Sequence, residues 1–191
     1  MMMKISAAAR IVMIILLVWA QPLSAGDETA FDYHYLEAAY TGQSPSRTAP
    51  NFSGGTLRGA FGFENRLFLH LELRNTSASH DDTRLDERLL GLGFASKLDQ
   101  DLDLVTRFDL MAREFDLESV DGFAFNTGVR WRLHPRIETD GFIAWRSLDN
   151  ESEWFGHGRL LGRIAGPVWL SLGALHGERD RIWEAGLRLN Y

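Results

Sequence analysis

Alternation of apolar and polar side chains is the strongest pattern in the chain. Residues 67–74 read Leu-Phe-Leu-His-Leu-Glu-Leu-Arg, with leucine at every odd position and His70, Glu72 and Arg74 at even positions. Successive side chains of a strand point to opposite faces, so this period of two predicts a strand with one apolar and one polar face. A helix would scatter the leucines around its axis beside charged groups.

The same alternation recurs and predicts ten strands, with eight as the alternative. The ten lie at about 31–40, 56–64, 67–75, 87–96, 103–113, 122–133, 137–147, 154–164, 168–176 and 181–191. Most would span about ten residues, as a tilted membrane-spanning strand requires, whereas globular strands have about five or six. A chain that crosses a membrane with strands must close them into a barrel, because lipid cannot satisfy a free strand edge.

The predicted connections alternate in length. Short turns fall at 64–66, 97–102, 134–136 and 165–167, and polar, mostly acidic loops fall at 41–55, 76–86, 114–121, 148–153 and 177–180. Short periplasmic turns, longer extracellular loops and an even strand number are typical of outer-membrane barrels. The sequence therefore predicts an all-β, closed antiparallel transmembrane barrel in the bacterial outer membrane, with both termini on the periplasmic side.

The start of the chain has the layout of a secretory signal peptide. Lys4 and Arg10 precede the apolar run 11–19, and small residues end the segment at Ala25. The run is shorter than the roughly 20 residues that a membrane helix needs. We expect cleavage after Ala25 and one barrel domain over 26–191. Losing Lys4 and Arg10 makes the formal charge, −6 for the whole chain, two units more negative, which disfavours nucleic acid as a partner.

If the apolar faces meet lipid, the polar faces line the lumen. These inward positions carry arginines and acids, which predict a lumen charge network: Glu37, Arg58, Glu72, Arg74, Arg107, Asp109, Arg130, Arg132, Glu138, Asp140, Arg146, Arg159, Arg163, Glu184 and Arg188. Arg113 is also assigned to an inward face. Buried charges need partners, and guanidinium groups can share several carboxylates. A salt-bridged plug is therefore favoured over a polar pore or proton path.

Aromatic residues gather toward the ends of the predicted strands. They are Tyr33, Tyr35, Tyr40, Phe63, Trp131, Trp145, Trp154, Trp169, Trp183 and Tyr191. Amphipathic rings favour the two bilayer interfaces. General strand propensity also enriches aromatics, so this distribution supports the predicted orientation without deciding it.

The last nine residues have apolar side chains at every second position and end on an aromatic. They resemble the C-terminal targeting strand of bacterial outer-membrane barrels. The resemblance implies an assembly signal at Trp183, Leu187, Leu189 and Tyr191, and the barrel assembly machinery as a transient partner.

Residues 31–191 also resemble small outer-membrane β-barrel proteins of the OmpX/OmpA-like type, and among these a subgroup of Xanthomonas-like bacteria. The fragments behind the resemblance are Tyr33-His-Tyr-Leu-Glu-Ala-Ala-Tyr40, Asp103-Leu-Val-Thr-Arg107, Gly128-Val-Arg130 and Trp154-Phe-Gly-His-Gly-Arg159. Such proteins are mostly non-enzymatic and are associated with envelope integrity, adhesion or virulence. The resemblance carries over no binding residue.

The patterns of candidate catalytic and metal-binding residues also favour a non-enzymatic protein. A lipid A deacylase of this shape has Ser two residues after His, and none of the six histidines is followed by Ser at that spacing. His80-Asp81-Asp82 echoes an omptin-like protease or a divalent-cation site. A solvated acidic loop is the favoured interpretation, so neither an enzyme nor a metal or cofactor site is predicted.

Three functions remain open after this reading. The first is a monomeric, non-enzymatic outer-membrane protein among lipid and lipopolysaccharide. Its acidic loops would serve envelope integrity or surface contact, and its lumen would be plugged. The second is a narrow passive pore of the porin kind. The third is a soluble periplasmic lipocalin-like barrel, which requires the apolar faces to point inward.

Overall fold

The computed structural model describes residues 29–45, 51–63, 66–78, 83–116, 118–149, 151–178 and 180–191. The predicted signal peptide, 1–25, and the His80-Asp81-Asp82 motif lie outside the described residues. Within these ranges, no helix has the length and apolar character needed to cross a membrane.

Ten antiparallel strands form one closed barrel. They are β1 Tyr35–Pro45, β2 Phe52–Gly62, β3 Leu67–Ala78, β4 Arg84–Asp99, β5 Leu102–Phe115, β6 Glu118–His134, β7 Ile137–Leu148, β8 Glu151–Ala165, β9 Val168–Gly177 and β10 Asp180–Asn190. Each strand pairs with its sequence neighbours, and β1 pairs with β10 to close the sheet. The prediction of a closed ten-stranded barrel is confirmed, and the eight-stranded alternative is wrong.

Both described ends of the chain lie at one end of the barrel, the terminal end. The turns there are short, at 63–66, 100–101, 135–136 and 166–167. At the opposite end, the far end, the strands continue through most of the residues predicted as loops. The connections shrink to 46–51, 79–83, 116–117, 149–150 and 178–179. The prediction of long acidic loops is therefore wrong, and even the first connection, 46–51, is six residues long and contains no acid.

Apolar side chains point outward over most of the barrel wall. On β3, Leu69, Leu71 and Leu73 are exposed, whereas His70, Glu72 and Arg74 between them are buried. This alternation matches the predicted faces and contradicts the lipocalin-like alternative. On β6 the outward apolar positions run from Phe123 to Leu133. About ten residue steps of about 3.3 Å, tilted by about 40°, give an apolar belt roughly 25 Å high.

Above the apolar belt, the outward side chains at the far end are polar. We call this surface the outer collar, and it comprises Ser44, Ser53, Asn75, Ser77, Arg84, Asp86, Arg88, Glu114, Ser119, Asp121, Ser147, Ser152, His176 and Arg181. Asn75 donates to Asp86 and Arg88 donates to Glu114 along its surface. The inward face here mixes charged residues with apolar ones such as Phe52, Ala78 and Leu85. The outward-apolar alternation of the belt is therefore lost, and the sequence resembles loops.

The aromatic prediction holds in part. Tyr40, Phe63, Trp131, Trp154, Trp183 and Tyr191 are exposed on the outside, and Tyr40 contacts Trp183 at the upper edge of the apolar belt. Tyr33, Tyr35 and Trp169 are instead buried inside the barrel, so their assignment to an interface was wrong. The first strand begins at Tyr35 rather than at residue 31.

Candidate functional site: the charged lumen

Arg58 is the centre of the lumen. Its Nε donates to Glu72 over 2.7 Å, its Nη1 to Glu37 over 2.9 Å and its Nη2 to Glu184 over 2.8 Å. The three carboxylates come from β3, β1 and β10, and all four side chains are buried. The planar guanidinium thus uses its three nitrogens on three different strands, as its fork geometry permits.

Ion pairs extend from Arg58 toward the far end. Arg74 bonds Glu72 over 2.7 Å and also pairs with Glu87. Glu87 is shared with Arg113, which also reaches Asp180 over 3.2 Å. Arg146 bonds both Asp180 and Glu153. Each buried charge in this chain of contacts therefore has an opposite charge beside it, the condition for keeping ions away from water.

A second branch runs toward the terminal end. Arg188 pairs with Glu37 over 2.6 Å and lies 4.0 Å from the centre of the Tyr35 ring. Arg159 pairs with Asp140 over 2.6 Å and with Glu37 over 3.4 Å. Glu37 therefore joins both branches.

Two smaller clusters flank these branches. Asp109 accepts from Arg107 over 2.7 Å and from Asn126 over 2.8 Å, and it lies 3.3 Å from His70 Nδ1. Arg130 pairs with Glu138 over 2.7 Å near the terminal end. His70 is fully buried, so a substrate outside the barrel has no access to the His70–Asp109 pair.

The predicted residues do not all join these contacts. Arg163 is exposed at the terminal end and lies over the Trp169 ring, where the pairing of β8 with β9 shifts register between Arg163 and Ala165. Its placement inside a buried network was wrong. Arg132 is half-buried and bonds Asp101 at the mouth, with Glu138 at 4.0 Å.

Four further residues belong to the ion pairs; Arg113 was already assigned to an inward face, and the other three were not predicted. They are Glu87, Arg113, Glu153 and Asp180. Glu153 and Asp180 fall within predicted loops, and Glu87 opens the predicted fourth strand. Extending the period of two by one residue at the far end of β8 and β10 would have placed Glu153 and Asp180 on inward faces.

The lumen is not equally filled on all sides. Inward side chains of β1 to β4 are mostly buried, whereas Val120, Leu148, Phe155 and Leu175 on β6 to β9 are only half-buried. A cavity of about 60 Å³ lies beside Arg107, His157 and the charged centre. A cavity of that size, lined by charged and apolar side chains alike, has room for roughly four water molecules.

The described residues hold no group of three or more His, Cys, Asp or Glu side chains arranged to bind a metal ion. What the lumen does chemically is to tie strands together through shared carboxylates.

Comparison with known proteins supports the fold. No protein-family model and no curated protein matches the sequence. The chain is similar to the solved structure of the NanC porin, with a TM-score of 0.54, 10% identity, and coverage of 82% of this chain and 100% of that one. This likeness shows a porin-type barrel fold and nothing about activity.

Two other solved structures are more distant. A KdgM porin in complex with disordered oligogalacturonate has a TM-score of 0.49 and 7% identity, covering 82% of this chain and 99% of that one. Neisserial surface protein A has a TM-score of 0.42 and 15% identity, covering 84% of this chain and 98% of that one. The resemblance to the OmpX/OmpA-like subgroup remains a prediction.

Proposed function

We propose that the protein is a non-enzymatic, monomeric integral barrel of the bacterial outer membrane whose lumen is held closed by the Arg/acid network. The observation that carries this proposal is that the barrel is apolar on the outside and charged on the inside. Leu71 is 44% exposed on its outer wall, whereas Arg58 is 4% exposed inside it. A belt of exposed leucine and aromatic side chains is unfavourable in water and favourable in lipid.

The outer collar sets the direction of insertion. Strands with a polar outer face cannot lie in hydrocarbon, so the far end projects beyond the membrane. The short turns of outer-membrane barrels face the periplasm, so the terminal end faces the periplasm and the far end faces the cell surface. The predicted signal peptide and the C-terminal strand, which resembles an assembly signal, both support export. Lipid and lipopolysaccharide are then its lasting neighbours, and the barrel assembly machinery is a transient partner.

The far end is the surface that supports a role in envelope integrity and surface contact, including adhesion or virulence. Its exposed and half-buried acids, Asp86, Glu114, Asp116, Glu118, Asp121, Asp149, Glu151 and Glu178, exceed the arginines Arg84, Arg88 and Arg181 among the described residues there. Because most of the described connections are short, the strand wall itself presents this acidic surface.

The lumen proposal is tested by planar-bilayer recording of the folded protein. A barrel with a closed lumen gives no stable current steps, whereas a wide porin inserted in the same bilayers gives clear ones. Stable multi-ion current would overturn the closed lumen and support the alternative of a narrow passive pore. The half-buried residues along β6 to β9 are the observation that favours that alternative.

The location is tested separately by fractionation. We expect the protein in the outer-membrane fraction, with a gel mobility that changes on heating, as folded barrels show. Recovery in the soluble periplasm would defeat the membrane assignment whatever the conductance.

A further inference from the structure

The strands leave a socket in the lumen at the terminal end. Inward positions there carry small side chains on three strands: Ala60 on β2, Gly93 and Ala95 on β4, and Val105 on β5. Side chains fill the interior of small barrels. Strand residues of this size cannot fill the lumen by themselves.

Residues 29–33, which precede β1, fill this socket. Phe31 and Tyr33 are buried in one apolar cluster with Ala60, Ala95 and Val105. The Tyr33 ring stacks on Phe68 with centroids 4.6 Å apart. We call residues 29–33 the lumen segment.

Polar contacts hold the lumen segment in place. Asp103, with 0% exposure, accepts from the Ala30 backbone N–H over 2.8 Å and from the Tyr33 hydroxyl over 3.1 Å. Arg130 lies over the Phe31 ring, 4.5 Å from its centre, and donates to the Asp32 carbonyl over 3.1 Å.

Arg132, two residues further along β6, makes the matching contact closer to the mouth. It donates to the Ala30 carbonyl over 2.9 Å and lies 4.7 Å from the centre of the Phe31 ring. Side chains of the strands therefore recognise both the backbone and the rings of the lumen segment.

The lumen segment is separate from the barrel ladders. Both backbone ladders of β1 begin at Tyr35, and the terminal Tyr191 N–H bonds the His34 carbonyl. Residues 29–33 can therefore leave without breaking a strand pair. Water entering the socket would then solvate Asp103 and Arg130 in their place, which lowers the cost of the exchange.

We propose that the lumen segment is a detachable plug, and that the terminal mouth of the barrel is a peptide-binding socket whose resident ligand is this segment. When the segment leaves, the terminal half of the lumen opens to water from the periplasmic side. The charged network around Arg58 still closes the centre. This inference rests on the proposed membrane barrel.

Thiol accessibility tests the plug directly, because the chain contains no cysteine. Ala95, with 0% exposure, lies in the socket cluster, so the Ala95→Cys variant reports on the socket. A membrane-impermeant maleimide should label it slowly in the otherwise native protein. Adding Phe31→Ala and Tyr33→Ala should raise the labelling rate at least about tenfold, because access then no longer waits for opening.

Two matched controls separate plugging from general loosening. Asp32→Asn changes a side chain of the same segment that is 60% exposed, and it should leave the labelling rate unchanged. The synthetic peptide Thr-Ala-Phe-Asp-Tyr-His, the sequence of residues 29–34, should restore protection to the double-alanine variant, whereas its scrambled form should not.

Specific outcomes contradict the plug. Equal labelling with and without the aromatic pair shows that Phe31 and Tyr33 do not cover the socket. Failure of the peptide to protect a variant that keeps its heat-modifiable mobility shows that the socket does not bind it. Should the double variant lose that mobility, Asp103→Ala, which removes both acceptors of the lumen segment, takes its place. Unchanged labelling of that variant contradicts the plug.

The result is independent of conductance. If the native protein conducts and the Ala95→Cys variant is labelled slowly, the proposal of a closed lumen is overturned and the plug is supported. If the native protein does not conduct and the Ala95→Cys variant is labelled rapidly, the plug is overturned and the closed lumen is supported.

Discussion

Arg58 on β2 and Glu184 on β10 form an ion pair across the lumen, with 2.8 Å between Nη2 and Oε2, although 126 residues separate them in the chain. These two strands share no ladder, because β1 lies between them. The pair therefore ties the first and last parts of the chain together from inside the barrel. Closure of the barrel is stabilised by backbone pairing on the wall and by charge pairing in the lumen.

Replacing Arg58 should destabilise the barrel strongly. Arg58→Met leaves Glu37, Glu72 and Glu184 without their shared cation, and breaking a buried ion pair costs about 3–5 kcal/mol. Urea titration followed by gel mobility without heating measures the free energy of unfolding.

The matched control is Arg88→Met on the outer collar. Arg88 is 60% exposed and pairs with Glu114 over 3.0 Å, and exposed pairs contribute about 0–1 kcal/mol. Similar losses for the two variants would show that the lumen pairs are no more important than surface pairs.

Placing an arginine on the outer wall should destabilise the barrel by an amount that depends on its depth in the membrane. Leu71→Arg places a charge on the belt, where the expected loss is about 2–4 kcal/mol near the bilayer midplane. Asn75→Arg, on the same face of β3 and beside Asp86 in the outer collar, should cost only about 0–1 kcal/mol. Refolding into lipid vesicles gives both values, and a neutral Leu71→Arg would refute the outward face assignment.

Gly93 should not tolerate a side chain. A Cβ at this position would overlap the ring of Phe68, so Gly93→Ala forces the ring against Tyr33 and should cost about 1–3 kcal/mol. Gly141 faces outward with no atom within 4 Å of an added Cβ, and Gly141→Ala should be nearly neutral. Equal unfolding free energies for the two variants would mean that Phe68 moves freely.

Tyr191 should matter for assembly in the cell rather than for stability. It is 64% exposed at the end of β10, and its proposed role rests on resemblance to a targeting strand. Tyr191→Ala should lower the fraction of newly made protein that reaches the heat-modifiable form, and Tyr191→Phe should restore it. Trp154→Ala removes an aromatic side chain that is 53% exposed on β8 and should assemble normally. Equal assembly of the Tyr191→Ala and Trp154→Ala variants would show that Tyr191 is not part of an assembly signal.

Much of the fold follows from one periodicity. The alternation at residues 67–74 appears in the structure as exposed leucines and buried His70, Glu72 and Arg74. Because the side chains of a strand alternate strictly, one correctly assigned residue fixes the face of every other residue in that strand. Most inward charges could be identified in this way, although their partners on distant strands could not.

The errors have two physical causes. On the outer collar the outward face is polar and the inward face mixes charges with apolar residues such as Phe52 and Leu85. The alternation of the apolar belt therefore does not continue into the collar, and β8 shows none at Glu151 and Ser152. At the terminal end, residues 31 and 33 continue the aromatic spacing of β1 but turn into the lumen. Their partners Asp103 and Arg130 lie far along the chain, so local spacing could not distinguish a segment inside the barrel from a strand in its wall.

The outer collar also fixes how deep the barrel sits. Sliding inward by two residues along β4 would move Arg88 and then Asp86 into hydrocarbon, where charged groups are costly. Sliding outward would expose Leu90 and its neighbours to water. A bilayer thicker than the apolar belt must therefore thin locally around the protein, as it does around any hydrophobic span shorter than its hydrocarbon core. The height of the apolar belt makes the protein selective for membrane thickness.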